Sequence, residues 1–261
     1  MDYSQFVFRY DKPTHTPTPP APKKHKKISL ELVFVASILI VVIVVIISSE
    51  FLTDNGVITT LKENFLGKKP STYYVVMSTP FNLKSDALAQ ATMLRAGGCA
   101  GYIYHKNSQY FVAYATYFDK KSAQSVSDKN ANTCILEFSS CNTRTYEGRA
   151  FYSILNEVIT TLEKEICNLN TIIEELATNS LTDSDAINRM SSTRNSLLAL
   201  KERVYATKQS DDVENALISL IEPLFGGVDA VISMNNSRDL LSGTRYVITS
   251  EVILLSGFSL Q

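Results

Sequence analysis

Residues 32–49 contain no charged side chain, and 32–47 is almost wholly valine, isoleucine and leucine. Eighteen such residues form a helix of about 27 Å, close to the roughly 30 Å hydrocarbon core of a bilayer. In water β-branched residues favour strands. Lipid offers the backbone no hydrogen-bond partner, so a spanning segment must be helical. A buried parallel strand rarely runs so long. Residues 28–49 therefore read as a single transmembrane anchor.

Lys23, Lys24, Lys26 and Lys27 precede the apolar run, and Glu50 and Asp54 follow it. The positive flank stays inside, which places the N-terminus in the cytoplasm and the rest of the chain outside the cytoplasmic membrane. Ser48, Ser49 and Glu50 make no convincing cleavage site after so long a leader, so the segment is expected to stay as a signal anchor. Residues 1–27, rich in proline and lysine, read as an extended, disordered tail. Residues 50–71 read as a spacer. The net charge of −1 argues against a general nucleic-acid binder, which needs a basic face.

Beyond the spacer the hydrophobic period changes repeatedly. Residues 73–81 are β-branched and aromatic, a strand. Residues 85–96 place Ala87, Leu88, Ala91 and Leu94 on one helix face, with Ser85 as a plausible N-cap and Gly97-Gly98 as the stop. Strands are expected at 101–105 and 110–118, joined by a tight turn at 106–108. A helix at 120–129 and a strand at 133–139 follow. The order β-α-β-β-α-β is a split βαβ arrangement, four antiparallel strands against two helices. Val76–Phe81 also aligns without gaps on Ala113–Phe118, the mark of a duplicated half.

Residues 73–139 resemble the SPOR (sporulation-related repeat) domain of bacterial cell-envelope proteins. The resemblance is carried by Tyr73, Tyr74, Val75, Val76, Phe81, Ala87, Leu94, Gly97, Tyr102 and Ile103, and then by Tyr110, Phe118 and Ala123. It implies binding to peptidoglycan, preferably peptide-stripped glycan strands at division or sporulation septa. The family's helices cover one sheet face and its other face forms the glycan cleft. If Val76, Ser78, Ala113 and Ala115 face the helices, the opposite face carries Tyr73, Val75, Met77 and Thr79, with Tyr110, Val112, Tyr114 and Thr116. The glycan-binding candidates are Tyr73, Met77, Thr79, Tyr110, Tyr114 and Thr116, the rings covering sugar C–H faces while hydroxyls bond sugar hydroxyls. Met77 stands where the family has a polar glutamine, and Thr79 and Thr116 stand where it has glycines. A thioether makes none of the hydrogen bonds that buried sugar hydroxyls need.

Residues 145–261 change character. Phe151, Leu155, Val158, Leu162, Ile166, Leu169, Ile173 and Leu176 recur at spacings of three and four, a coiled-coil-like stripe. A second helix is expected at about 185–207, capped by Ser184 or Asp185, and a third from Asp211-Asp212. Pro223 and Gly226-Gly227 should kink or end the third, leaving 228–234 and 240–255 as further helices. Residues 247–255, interrupted by Glu251, are too short for a second span. Stripes of this width need a bundle of three or more helices, or a dimer.

No metal constellation is legible, since His105 is the sole histidine after the anchor and the four cysteines lack C-x-x-C spacing. Cys99, Cys134, Cys141 and Cys167 lie where disulfides can form, or serve as small core residues. Glu163, Glu165, Glu174 and Glu175 read as a solvated helix face, not a glycosidase pair.

The sequence thus leads to an α+β chain: a single N-terminal transmembrane helix, a SPOR-like domain at 72–141, and an all-α bundle at 145–261. It reads as a non-enzymatic, cofactor-free envelope protein that binds septal glycan strands in cell division or sporulation, with envelope proteins or a second copy as further partners. The alternative is a membrane-anchored scaffold whose SPOR-like domain no longer binds glycan.

Overall fold

A computed structural model describes residues 70–234 and 236–260. The expected tail, the anchor at 28–49 and the spacer to residue 69 lie outside the described residues. All described residues belong to one compact unit, Asn55–Gln261.

The architecture is mixed α/β, a four-stranded antiparallel sheet with six α-helices among the described residues. The strands are β1 (Thr72–Ser78), β2 (Ile103–Lys106), β3 (Gln109–Tyr117) and β4 (Thr133–Ser139), in the spatial order β2-β3-β1-β4. Helix α1 (Lys84–Ala96) follows β1 and α2 (Lys120–Ser127) follows β3. A 3-10 turn at Thr143–Tyr146 then leads into four long helices, α3 (Tyr152–Ala177), α4 (Asp183–Ala206), α5 (Asp211–Ile232) and α6 (Ser237–Gly257).

Local chemistry sets most of these boundaries. Asn107 and Ser108 both take positive φ, 50° and 60°, which twists the two-residue β2–β3 hairpin in the sense the strands need. Asp119 caps α2 by accepting from the Ser122 N–H at 2.8 Å. Ser85 does not cap α1: Leu83 holds the cap position without a side-chain bond, and the Ser85 hydroxyl donates to Asp86. Nor do Ser184 or Asp185 cap α4. Thr182 does, accepting from the Asp185 N–H at 3.2 Å while its hydroxyl donates back to the Asp185 carboxylate at 2.7 Å.

Helix α5 runs unbroken through Pro223, Gly226 and Gly227, so no separate helix begins at residue 228. Pro223 and Ser219 both lie on the exposed face, where water satisfies the carbonyl that a proline four residues on cannot reach. Gly227 sits against α6: a Cβ there would come 2.7 Å from Val247 Cγ2, so the glycine sets the close approach of the two helices. By length and composition α5 is the one helix among the described residues able to cross a bilayer. Its buried stripe of Leu217, Leu220, Ile221, Leu224, Val228 and Val231 faces its neighbours, while Glu222 and Asp229 pair with Lys201 and Arg194 of α4. It is built as a bundle helix.

Sheet and helices share one core. Tyr73, Val75, Met77, Ala113 and Phe138 of the sheet belong to the same buried cluster as Leu155, Leu162, Leu197, Leu220 and Val252 of the long helices. The expected boundary between units at 72–141 and 145–261 therefore does not separate two cores. Burial of each large apolar side chain in this layer contributes about 1.5–3 kcal/mol, so sheet and bundle stabilise each other.

A smaller cluster, Ala87, Ala91 and Val112, joins α1 to the other sheet face. Gly101 closes that side with φ +59°, and a Cβ there would lie 2.6 Å from the Ala91 carbonyl oxygen. Gly101→Ala is expected to cost on the order of 2–3 kcal/mol, read as a lower midpoint in urea unfolding, with α1 amides exchanging first.

Candidate functional site

Sequence periodicity assigns one sheet face, that of Tyr73, Val75 and Met77, to a ligand. On β1 the assignment of sides holds: Tyr73, Val75 and Met77 point together, away from α1. On β3 it holds for half the strand only. Val76 pairs with Ala115 and Met77 with Ala113, so Tyr114 is an extra residue with no partner across the ladder. Such a bulge shifts the inside–outside alternation by one. Ala113, expected toward α1, joins the large core, whereas Val112 and Tyr110, expected on the ligand face, pack with α1.

The six candidates are accordingly dispersed. Tyr73 is 1% exposed, Met77 0% and Thr116 6%, all beneath the long helices. Tyr110 is half-buried on the α1 side, its ring 4.7 Å from that of His105. Tyr114 is half-buried at the bulge, and Thr79 is exposed beyond the end of β1. No open aromatic platform connects them.

What covers the face is α6 together with α3. Thr249 of α6 and Thr116 share a hydrogen bond of 2.9 Å. Tyr73 rests edge-on against Phe118 with centroids 5.5 Å apart. Its hydroxyl is pushed well above the usual phenol range, first by burial and then by Glu163, with a bond to Ser71 acting the other way. At the rim, Arg245 of α6 donates to the Gly98 carbonyl at 2.8 Å, and the Tyr246 ring packs at a tilt against that of Tyr102, centroids 5.3 Å apart. Where β3 ends, a groove of about 390 Å³ remains between sheet, α2, α3 and α6, bordered by Thr116, Phe118, Asn170, Glu174 and Arg245.

Three carboxyl groups lie in the interior, and the sequence pattern placed none of them there. Glu163 and Glu165, expected on a solvated face, are 5% and 3% exposed. Glu163 accepts from the Ser140 hydroxyl at 2.5 Å, tying α3 to the end of β4. Glu165 accepts from Thr193 at 2.9 Å, Ser196 at 2.8 Å and Asn168 at 3.1 Å, tying α3 to α4. Glu251 of α6 is fully buried, and neither of its oxygens has a hydrogen-bond partner. Burial alone pushes its carboxyl up to about 8. The available signal was its position, a lone acid in the middle of the apolar run 247–255.

The cysteines are free thiols: Cys141 is buried, Cys99 and Cys134 are half-buried, and Cys167 is exposed. Burial raises the Cys99, Cys134 and Cys141 thiols above the ordinary value, and Glu163 adds to this at Cys141. They are therefore poor nucleophiles at neutral pH.

Comparison with protein-family models, with curated proteins and with solved structures finds no match to this chain.

Proposed function

We propose that this chain is a membrane-anchored scaffold of the bacterial cell envelope, in which a SPOR-like sheet serves as the seat of a helical bundle instead of a glycan cleft. In this reading 28–49 is the anchor, the N-terminus is cytoplasmic, and the sheet and bundle stand outside the membrane as one body. The observation that carries it is the burial of Tyr73 and Met77 under the long helices. A saccharide needs aromatic faces and free donors on an accessible surface, and here the corresponding face is filled by protein. The role is binding, not catalysis. Glu165 is committed to hydroxyl partners between helices, and Glu251 is enclosed at the sheet, so these acids do not face one another across a cleft. The partners are envelope proteins or a second copy of the chain.

The test is co-sedimentation of the detergent-solubilised full chain at pH 6 with intact sacculi and with amidase-treated, peptide-stripped sacculi. The expected result is recovery in the supernatant with both. Selective retention on the stripped glycan would sink the scaffold reading in favour of septal glycan binding by the same sheet.

A further inference from the structure

The layer between sheet and bundle carries a few buried polar groups, among them the Ser140–Glu163 bond that ties β4 to α3 and the Tyr73 hydroxyl. Thr249 of α6 bonds Thr116 of β3, and on another side of α6 Glu251 is enclosed with both oxygens unpartnered, close enough to Tyr73 of β1 to raise its hydroxyl. A carboxylate without a hydrogen bond or counter-charge is not tolerated in such a place: it keeps a proton, or the surroundings open to water. The two buried acids of α3 are held by hydroxyl donors, Glu163 by Ser140 and Glu165 by Thr193 and Ser196. In sequence the sheet and the bundle are joined through residues 140–151 alone, and across the layers by the Thr116–Thr249, Ser140–Glu163 and Gly98–Arg245 bonds.

From this geometry we infer that α6 and the sheet form a proton-dependent clasp, closed while Glu251 is protonated and parted when it ionises, uncovering the strip Tyr73, Val75 and Met77. The inference goes beyond the scaffold reading and holds whatever the uncovered strip binds. The groups around the clasp do not offset the charge. Tyr73 of β1 is a neutral phenol that feels Glu251, Glu163 and Cys167 together, and Glu137 of β4 is exposed. Arg245 of α6 is bonded to the Gly98 carbonyl, and Arg95 of α1 lies over the Tyr246 ring. The acids of α5, Glu222 and Asp229, pair with α4. Burial is the sole cause acting on Glu251, and it places the switch in the mildly alkaline range.

The molecule contains its own reporter. Cys141, 8% exposed, sits in the shared core, and Cys167, exposed on α3, is an internal control for thiolate chemistry. The experiment is maleimide labelling of the full chain in detergent micelles at pH 6, 7.5 and 9, quantified at each cysteine by peptide mass spectrometry. Amide exchange is followed in parallel. The Cys141 rate relative to Cys167 is expected to rise on the order of a hundredfold from pH 6 to pH 9, while α3 and α4 amides stay protected. In Glu251→Gln, and in Glu251→Met should the amide disturb packing, the ratio is expected to stay flat. A flat ratio in the unaltered chain overturns the clasp. So does an equal rise in the variants, or a rise accompanied by loss of α3 and α4 protection.

Discussion

Tyr73→Ala is expected to lower the unfolding free energy by about 3–5 kcal/mol, the usual cost of deleting a large aromatic side chain from a core. The ring is 1% exposed, lies beside β4 opposite Phe138, meets Phe118 edge-on and faces the bundle. Its removal leaves a cavity between sheet and helices that neither layer can fill without shifting, since Val75 and Met77 are already fully buried beside it. Tyr110→Ala is expected to cost about half as much, because that ring is half-buried against the small α1 cluster. Urea unfolding followed by far-UV circular dichroism measures both. A Tyr73→Ala protein as stable as the parent would mean that the helices do not cover this face in solution. The same comparison guards binding assays, because loss of binding in Tyr73→Ala would report a damaged fold and not a missing contact.

Stability of the chain is expected to fall as pH rises from about 4.5 to about 8, and to level off above that. The sign follows from Glu251. Its folded carboxyl titrates at about 8 against 4.5 when unfolded, so within this window the folded state holds a proton that the unfolded state has released. Stability decreases with pH wherever the native state binds more protons. Each step of one pH unit then costs about 1.4 kcal/mol, and the whole window costs on the order of 5 kcal/mol, a ceiling that water entry lowers. Glu251→Gln should remove most of the slope, and Glu251→Leu should also raise stability at pH 8, since the leucine has no polar group to leave unsatisfied. Denaturant midpoints of the three proteins at pH 5, 7 and 9 test this. Parallel pH profiles for parent and Glu251→Leu would refute it.

The order and kind of the elements were legible in the sequence because they rest on short-range chemistry. Strand β4 falls on the expected 133–139, and the stripe from Phe151 to Leu176 becomes α3 with Leu155, Val158, Leu162, Ile166 and Leu169 buried. Side-chain alternation and a spacing of three and four are properties of neighbouring residues, so no distant partner is needed to read them. Capping was less legible. Thr182, Ser184 and Asp185 offer similar oxygens within four positions, and small differences in backbone angle choose among them.

The tertiary structure alone decided what lies on each face. A strand face bearing Tyr73, Val75 and Met77 has the same pattern whether it is an open aromatic platform or one wall of a core, because periodicity records that residues share a side and not what meets them. The bulge at Tyr114 depends on how β1 and β3 pair, a long-range register, and it reversed the sides of Tyr110, Val112 and Ala113. Pro223 and the glycines after it read as a kink or a helix end, yet α5 continues through them, packed against α4 and α6. The enclosure of Glu251 likewise needs α6 to lie on the sheet. By itself the sequence determined which segments are apolar on one side. Which apolar sides meet was decided by the free energy of burying them together, a quantity spread over the whole chain.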